Sequence, residues 1–286
     1  MNFIDLHIHT TASDGTDSPG DVVAKAKDAG LAAIAITDHD TLSGLAEAVA
    51  AGSRLGLEVV RGVELAVSTP LGEAHILGLW LPENATRLAP ALEAIRRDRD
   101  ARNRRMIEMF QRAGFDVTYE ELLKEAAGES VGRVHMARLV TRKGICASPR
   151  EAFAKYLGDD KGMYVPRVIP TPEEGFALLQ SEGATTVFAH PMLFKSPADK
   201  IHTLVARFVD LGLDAIEAYH SDHDAKAVRR VESWAGRYGL ALSGGSDYHG
   251  DARPGTHLGI GKGNLRIPHD LLENMRDLRQ RKGLPV

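Results

Sequence analysis

The stretch "DLHIHTTASDG" (residues 5–15) carries two histidines, His7 and His9, that are two residues apart and have acids on both sides. In a β-strand, residues i and i+2 face the same side of the sheet, so the two imidazoles would converge. Converging imidazoles beside a carboxylate can bind a divalent metal ion or move a proton. A pair of half-exposed strand histidines without a function gives the same short pattern, so the rest of the chain must decide.

Histidines and acids recur where short apolar runs end. The positions are Asp38, His39 and Asp40 in "TDHD", Glu64 in "GVEL", His75 at the start of "HILGLWL", His190 in "AHP", and Asp247 and His249 in "GGSDYH". All of them except His75 lie at or near the end of a run, and side chains at the C-terminal ends of strands form the active site of βα barrels. Imidazoles and carboxylates without thiols suit manganese, iron or zinc. The pattern therefore predicts a metal centre.

Seven apolar runs alternate with amphipathic segments, most of which end in glycine, as helices often do. The runs cover residues 3–9, 32–39, 58–65, 74–81, 185–191, 214–220 and 240–249. Near-continuous apolar runs that alternate with helices indicate parallel strands buried on both faces. We therefore expect an α/β fold in which seven strand–helix units form a closed or nearly closed βα barrel rather than an open sheet.

The alternation breaks between residues 85 and 169. There "RLAPALEAIRRDRDARNRRMIEMFQRAG" predicts a long basic helix, and "TYEELLKEAAG", "RVHMARLVTRKG" and "SPREAFAKYLG" predict shorter ones. Thr118 and Glu121 form a capping-box pattern at the start of the first short helix. We expect residues 85–169 to be a helical insertion after the fourth strand that recognises the substrate, and residues 1–84 and 170–286 to form the barrel with the metal centre.

Composition narrows the class of protein. The 286 residues include 43% hydrophobic and 26% charged side chains, which is ordinary for a globular enzyme. A net charge of −4 and a pI near 6.3 argue against a generally cationic nucleic-acid coat. The single cysteine, Cys146, excludes a disulfide framework and a cysteine-rich zinc site. Without a secretory signal pattern or an apolar run of transmembrane length, the expected location is the cytoplasm.

The motifs "DLHIHTTASDG", "TDHD", "GVEL", "AHP" and "GGSDYH", in this order, resemble the polymerase-and-histidinol-phosphatase (PHP) family of metal-dependent phosphoesterases, a branch of the amidohydrolase superfamily. Within the insertion, "RNRRMIE", "GFDVTYEELL" and "GRVHMARLV" resemble the nucleotide-acting members, which include 3',5'-nucleoside bisphosphate phosphatases and 5'-to-3' exoribonucleases. The resemblance implies a distorted seven-stranded βα barrel that holds three divalent metal ions. Mn2+ is the expected ion, with Zn2+ and Fe2+ as alternatives.

The resemblance also implies a ligand set, and no expected ligand is missing. The first metal would be bound by His7, His9, Glu64 and Asp247, the second by Glu64, His75 and His190 with Glu64 bridging, and the third by Asp14, His39 and His249. A hydroxide that bridges metals and is held by the ligands of the first site would attack phosphorus. His75 is the ligand that a parallel strand explains least well. Asp38 would orient a histidine ligand or cap the next helix.

Arginines of the insertion are the candidates for substrate binding, because guanidinium groups bind phosphate with two parallel hydrogen bonds. The candidate residues are Arg102, Asn103, Arg104, Arg105, Arg133 and His135 in the insertion and His223 after the sixth strand. Alternatively, the arginines form a solvated basic face of a helix without a binding role. His135 could likewise be a helix residue that only packs against its neighbours. The expected partner is a nucleotide, with short RNA or DNA oligonucleotides as a further possibility. No protein or membrane partner is inferred.

The leading hypothesis is a hydrolase that removes the 3'-phosphate of a nucleoside 3',5'-bisphosphate, because a second phosphate would explain the arginine-rich insertion. A 5'-to-3' exonuclease on short 5'-phosphorylated RNA or DNA is the nearest alternative. A histidinol phosphatase would not need the basic insertion. A barrel that has lost its activity and serves as a binding module is disfavoured by the intact ligand set.

Overall fold

The computed structural model describes residues 2–126 and 131–286. The chain divides into two compact units. The barrel unit comprises Met1–Pro90 and Pro170–Val286, and the helical unit comprises Ala91–Ile169. In the described part of the chain, no helix is both long enough and apolar enough to cross a membrane.

Seven strands form one sheet in the barrel unit, and their order in the sheet follows their order in the chain. They are β1 Phe3–Asp5, β2 Leu31–Ile36, β3 Glu58–Thr69, β4 Gly72–Leu79, β5 Thr185–Phe188, β6 Ala215–His220 and β7 Ala241–Gly245. The edges of the sheet approach each other where the Leu6 amide donates to the Gly244 carbonyl at 3.1 Å. The predicted α/β fold with a nearly closed seven-stranded barrel is confirmed.

The prediction that all strands are parallel is wrong for β4, which pairs antiparallel with both β3 and β5. Only residues 70 and 71 separate β3 from β4, and so short a connection must reverse the chain direction. The beginning of β4 therefore lies at the same edge of the sheet as the C-terminal ends of its neighbours β3 and β5. His75 pairs with Ala66 in this register, which explains how a residue at the start of its run reaches the expected metal centre.

Helices follow the strands. They are α1 Pro19–Asp28, α2 Leu45–Leu55, α3 Leu88–Arg112, α4 Tyr119–Ala126, α5 Arg133–Arg142, α6 Pro149–Ala152, α7 Pro172–Ser181, α8 Ala198–Asp210, α9 Ala225–Tyr238 and α10 Asp270–Arg281. The predicted capping box of α4 is present, since the Thr118 and Glu121 side chains each accept the other's backbone N–H, at 3.2 and 2.9 Å. Residues 127 and 128, the end of the predicted helix, lie outside the described residues.

The helical unit has a hydrophobic core of its own. Phe110 of α3 is fully buried and packs against Phe115 and Tyr156, with ring centroids 5.9 and 5.6 Å away. Met136 and Leu139 of α5 belong to the same buried cluster. The insertion is therefore a folded unit rather than an extended loop on the barrel.

Gly245 allows β7 to pass close to β1 beneath the first histidine. A Cβ atom at this position would lie 2.3 Å from the Cβ of His7 and 2.5 Å from its backbone nitrogen. Real Cβ atoms do not approach other atoms so closely, so any side chain here would displace His7. Gly236 in α9 is the opposite case, because a Cβ there would have no heavy atom within 4 Å.

We expect Gly245→Ala to lower the free energy of unfolding by about 1–3 kcal/mol, the range for overpacking a filled interior. The matched variant Gly236→Ala should be neutral or stabilising by up to about 1 kcal/mol, because alanine favours a helix over glycine. Urea unfolding of both variants measures the difference. Equal effects of the two substitutions would contradict the close approach of β7 to His7.

Candidate metal centre

The nine predicted metal ligands meet at one edge of the barrel. His7 and His9 follow β1, His39 follows β2, Glu64 and His75 lie on the β3–β4 hairpin, His190 follows β5, and Asp247 and His249 follow β7; Asp14 lies in the loop after His9. Donor atoms from all nine residues belong to groups in which they lie within 4.8 Å of one another. The chain thus brings together residues that are as far apart in sequence as His7 and His249.

The carboxylate of Glu64 lies at the centre of this cluster and is completely buried. Each of its oxygens is contacted by imidazole nitrogens from different strands. Oε2 lies 3.3 Å from His7 Nε2, 3.1 Å from His9 Nε2 and 3.1 Å from His39 Nδ1, and Oε1 lies 2.8 Å from His75 Nδ1 and 3.0 Å from His190 Nε2. A carboxylate in this position can bridge two metal ions.

The two oxygens of the Asp247 carboxylate contact different partners. Oδ1 faces the cluster, 3.3 Å from His9 Nε2 and 3.6 Å from His7 Nε2. Oδ2 accepts from His220 Nε2 at 3.2 Å and from the guanidinium of Arg253. One oxygen of Asp247 is therefore directed at the candidate ligand atoms, and the other is fixed by protein donors.

A third group surrounds Asp14. Its Oδ1 lies 3.4 Å from His249 Nε2 and 3.8 Å from His9 Nδ1. The rings of His9 and His249 stack with centroids 4.0 Å apart, and His39 completes the group. Asp14, His39 and His249 are the residues expected for a third metal, and the structure places them together.

Unpaired polar atoms show that the cluster fits metal ions. His7 Nε2, both ring nitrogens of His9 and Glu64 Oε2 are buried and have no hydrogen-bond partner among the described residues. Buried polar atoms without partners are rare in folded proteins because each costs desolvation energy. Here they are nitrogen and oxygen donors directed at shared positions, which divalent ions would satisfy. The arrangement is that of a site for more than one metal ion.

Ionisation within the cluster is strongly coupled. Burial alone would raise the pKa of Glu64, but the imidazoles around it, with His39 and His75 foremost, hold that pKa well below its usual range. Burial opposes protonation of His9 and His75. However, their contacts with carboxylates raise the pKa of His9 to about 9 and that of His75 to about 10. Burial lowers the pKa of His39 to about 3.

Two candidate ligands have an unusual backbone conformation. His190 has φ 30° and Asp247 has φ 54°, in the left-handed region that residues other than glycine rarely adopt. Backbone strain of this kind persists where the surrounding structure holds the residue, and it concentrates at functional sites. Each residue lies two positions after the end of its strand, and its side chain belongs to the cluster.

Glu217 of β6 supports two of the histidines and was missed by the sequence analysis. Its Oε1 lies 3.1 Å from His7 Nδ1, and its Oε2 accepts the His190 backbone N–H at 2.7 Å. A carboxylate on one ring nitrogen directs the other nitrogen of His7 towards the cluster. The available signal was an acid inside the buried apolar run "DAIEAYH", where an unpaired charge would be costly.

His220 donates a hydrogen bond to Asp247, and its other contacts show which ring nitrogen carries the proton. Its Nδ1 accepts the Asp222 backbone N–H at 3.1 Å, so the ring proton of the neutral form must be on Nε2. That Nε2–H donates to Asp247 Oδ2. His223, a predicted substrate-binding residue, is buried, and its Nδ1 lies 2.9 Å from the Ala218 carbonyl.

Asp38 forms hydrogen bonds with a loop. The two expectations, that it orients a histidine ligand or caps the next helix, are therefore not met. Its two oxygens accept from Thr10 N at 2.7 Å, Thr10 Oγ1 at 2.8 Å and Ser13 Oγ at 2.6 Å. The residue that precedes α2 is Gly44. Asp38 therefore fixes the loop that carries Asp14.

The substrate-binding candidates of the helical unit have different environments. Arg102 is 2% exposed; its Nε donates to the Val165 carbonyl at 2.7 Å, while its Nη2 has no partner among the described residues. The Asn103 amide donates to the Val131 carbonyl. Arg104 lies 3.8 Å above the Tyr119 ring, and Arg105 is exposed.

Arg133 and His135 begin α5. Arg133 Nη1 donates to the Leu157 carbonyl at 3.1 Å and to Asp159. The buried His135 accepts the Gly132 backbone N–H at 3.0 Å, so its ring closes the start of the helix. Phosphate binding by any of these residues stays a prediction.

Comparison with known proteins identifies relatives. A family model described as "PHP domain" matches residues 5–163. The chain is 33% identical over 260 residues to a 3',5'-nucleoside bisphosphate phosphatase of Chromobacterium violaceum, with 91% of each chain covered. It is 30% identical to a 5'-3' exoribonuclease of Haemophilus influenzae, over 86% of this chain and 89% of the relative. A solved amidohydrolase of Chromobacterium violaceum, with bound sulfate and no metal, is 31% identical with a TM-score of 0.84, over 96% of both chains.

We expect metal loading near pH 8 to release at least two protons per chain, because His9 and His75 are protonated below their raised pKa values and bind metal only as neutral rings. Burial also opposes protonation of His7, but the carboxylates around it hold its pKa well above the usual range, so this ring adds to the count. Titrating Mn2+ calorimetrically into metal-free protein in two buffers of different ionisation enthalpy counts these protons. The number should fall as the pH rises towards 10, because His9 and, at higher pH, His75 lose their protons before metal binds. Heats that do not depend on the buffer at pH 8 would contradict the raised pKa values.

Proposed function

This chain belongs to the PHP domain family of metal-dependent phosphoesterases, and from that premise we propose that it removes the 3'-phosphate of nucleoside 3',5'-bisphosphates. The products are a 5'-mononucleotide and inorganic phosphate. The scissile phosphate binds at the metal centre around Glu64, and arginines of the helical unit bind the second phosphate. The observation that carries this choice is the buried guanidinium of Arg102.

Arg102 has the properties of an anion-binding residue. Burial and the nearby cations Arg133, Arg167 and Arg99 lower its pKa to about 10, so positive charge is concentrated around it. It makes no ion pair in the described part of the helical unit, and its Nη2 lacks a hydrogen-bond partner there. A buried cation is stable only when an opposite charge compensates it. A phosphate dianion would supply that charge and accept the unused N–H groups.

We assign three Mn2+ ions to the metal centre. The ligands are His7, His9, Glu64 and Asp247 for the first ion, Glu64, His75 and His190 for the second, and Asp14, His39 and His249 for the third. Bound ions of this kind supply a Lewis acid for phosphate oxygens and a water of lowered pKa as nucleophile. Glu217 and His220 orient the His7 and Asp247 ligands, and Asp38 holds the Asp14 loop.

The relatives support a nucleotide substrate. One relative is a nucleoside bisphosphate phosphatase, and a solved relative holds sulfate, a tetrahedral dianion similar in shape to phosphate. A 5'-to-3' exonuclease is the second candidate, because another relative of similar identity is an exoribonuclease. In that case the arginines would bind a terminal 5'-phosphate. The complete ligand cluster disfavours an inactive binding module, and the cationic cluster around Arg102 disfavours the single-phosphate substrate histidinol phosphate.

One substrate panel decides between these candidates. Phosphate or nucleotide release is measured with Mn2+ for a nucleoside 3',5'-bisphosphate, a 3'-mononucleotide, short 5'-phosphorylated oligonucleotides and histidinol phosphate. We expect the bisphosphate to have the highest kcat/KM, because the remote phosphate provides binding energy that orients the reacting one. Preference for the oligonucleotides would establish the exonuclease instead.

The same assay tests the arginine. Arg102→Ala should cost about 2–3 kcal/mol of transition-state stabilisation on the bisphosphate, the range for a lost charged hydrogen bond. The 3'-mononucleotide, which lacks the second phosphate, should be a poor substrate that the substitution barely affects. Arg105→Ala, which removes an exposed arginine from the same helix, is the matched control. Equal losses on both substrates would assign Arg102 to the fold rather than to phosphate.

Elemental analysis tests the metal count. Protein purified gently or reconstituted with Mn2+ should carry three ions per chain. Asp14→Asn and His249→Asn should each remove one ion and leave the other two, because both residues belong to the third site alone in this assignment. At most one ion in the wild type after reconstitution would refute the trinuclear assignment.

A further inference from the structure

Arg253 lies beside the metal centre, although no motif of the sequence pointed to it. It follows His249 by four residues, in the loop after β7. Its side chain lines a cavity of about 260 Å³ whose other walls include Glu64, His75 and His190. A cation is therefore present on the surface of the same cavity that the candidate metal ligands form.

The position of Arg253 is fixed by a ligand carboxylate. Its Nη1 donates to Asp247 Oδ2, the oxygen that also accepts from His220, whereas the contacts with His7 and His9 are made by Oδ1. Within the described part of the chain, Asp247 is the hydrogen-bond partner of this guanidinium, and the side chain remains 44% exposed. A guanidinium carries five N–H donors, so one bond to Asp247 leaves four for another group.

We propose that Arg253 binds the phosphate that is cleaved, donating its remaining N–H groups to the non-bridging oxygens while Asp247 holds it in place. The inference rests on the proposed phosphatase function and adds to it a residue that selects the kind of phosphate. The contact does not depend on the second phosphate or on the helical unit.

The chemistry of the guanidinium favours a terminal phosphate. A phosphomonoester offers three non-bridging oxygens and up to two negative charges, whereas a diester offers two oxygens and one charge. A planar fork of donors binds two oxygens at once, and the interaction is stronger with the more highly charged group. Arg253 thus favours monoesters over the internal diesters of an oligonucleotide.

Binding of inorganic phosphate tests the proposal without turnover. The probe is titrated calorimetrically into metal-loaded wild type and Arg253→Met, and dimethyl phosphate serves as the diester probe. We expect Arg253→Met to weaken phosphate binding on the order of 10- to 100-fold, the effect of about one lost charged hydrogen bond. Binding of dimethyl phosphate should change much less. Elemental analysis should show the same metal content in both proteins.

Two further variants make the result specific. Lys262→Met removes an exposed cation that pairs with Asp222 outside the cavity, and it should leave phosphate affinity within about twofold of wild type because salt screens an exposed, distant charge. Arg253→Lys keeps the charge but loses the fork of donors, so an intermediate affinity is expected. If Arg253→Met does not fold, the phosphate titration of Arg253→Lys tests the proposal in its place.

The outcomes are distinguishable. Unchanged phosphate affinity in Arg253→Met at full metal content overturns the proposal. Loss of metal in parallel with loss of phosphate also overturns it, because Arg253 would then act only by positioning Asp247. Weaker phosphate binding in a protein that does not hydrolyse nucleoside bisphosphates would support Arg253 as a phosphate ligand and refute the proposed substrate.

Discussion

The carboxylate of Glu64 is the feature on which the arrangement of the site depends. Five imidazoles, which lie on or after four different strands, contact its two oxygens at 2.8–3.3 Å, and the side chain is completely buried. A buried negative charge of this kind is stable only if positive partners surround it. Protonated imidazoles or metal ions can fill that role, so the carboxylate around which the histidines gather is also a candidate metal ligand.

Much of the site could be predicted because strand ends in a βα barrel meet at one edge. His7, His190 and His249 were identified by this rule, and a family resemblance completed the ligand set. The direction of β4 could not be predicted from its apolar run, since such a run has the same composition in either orientation. The two-residue connection at Pro70 was the missed signal, and it explains His75.

The supporting contacts were harder to predict, because they depend on side-chain direction rather than on position along a strand. Glu217 lies within an apolar run. Asp38 was expected to orient a histidine or to cap a helix, but its carboxylate accepts hydrogen bonds from the loop that contains Thr10. No sequence motif marked Arg253, because a single arginine in a loop is ordinary. Short-range periodicity specifies which face a residue occupies, but partners from distant loops follow only from the folded chain.

The spread of the ligands along the chain has a consequence for folding. In the proposed ligand assignment, ions bound to His7 and Asp247 would join the first strand to the last and would act as cross-links that close a loop of nearly the whole chain, including the helical unit. Closing a long loop removes many conformations from the unfolded ensemble, as a disulfide does. Metal availability would therefore set the lifetime of the folded barrel in the cell as well as its chemistry, and chain that has lost its ions would be the form that proteases degrade first.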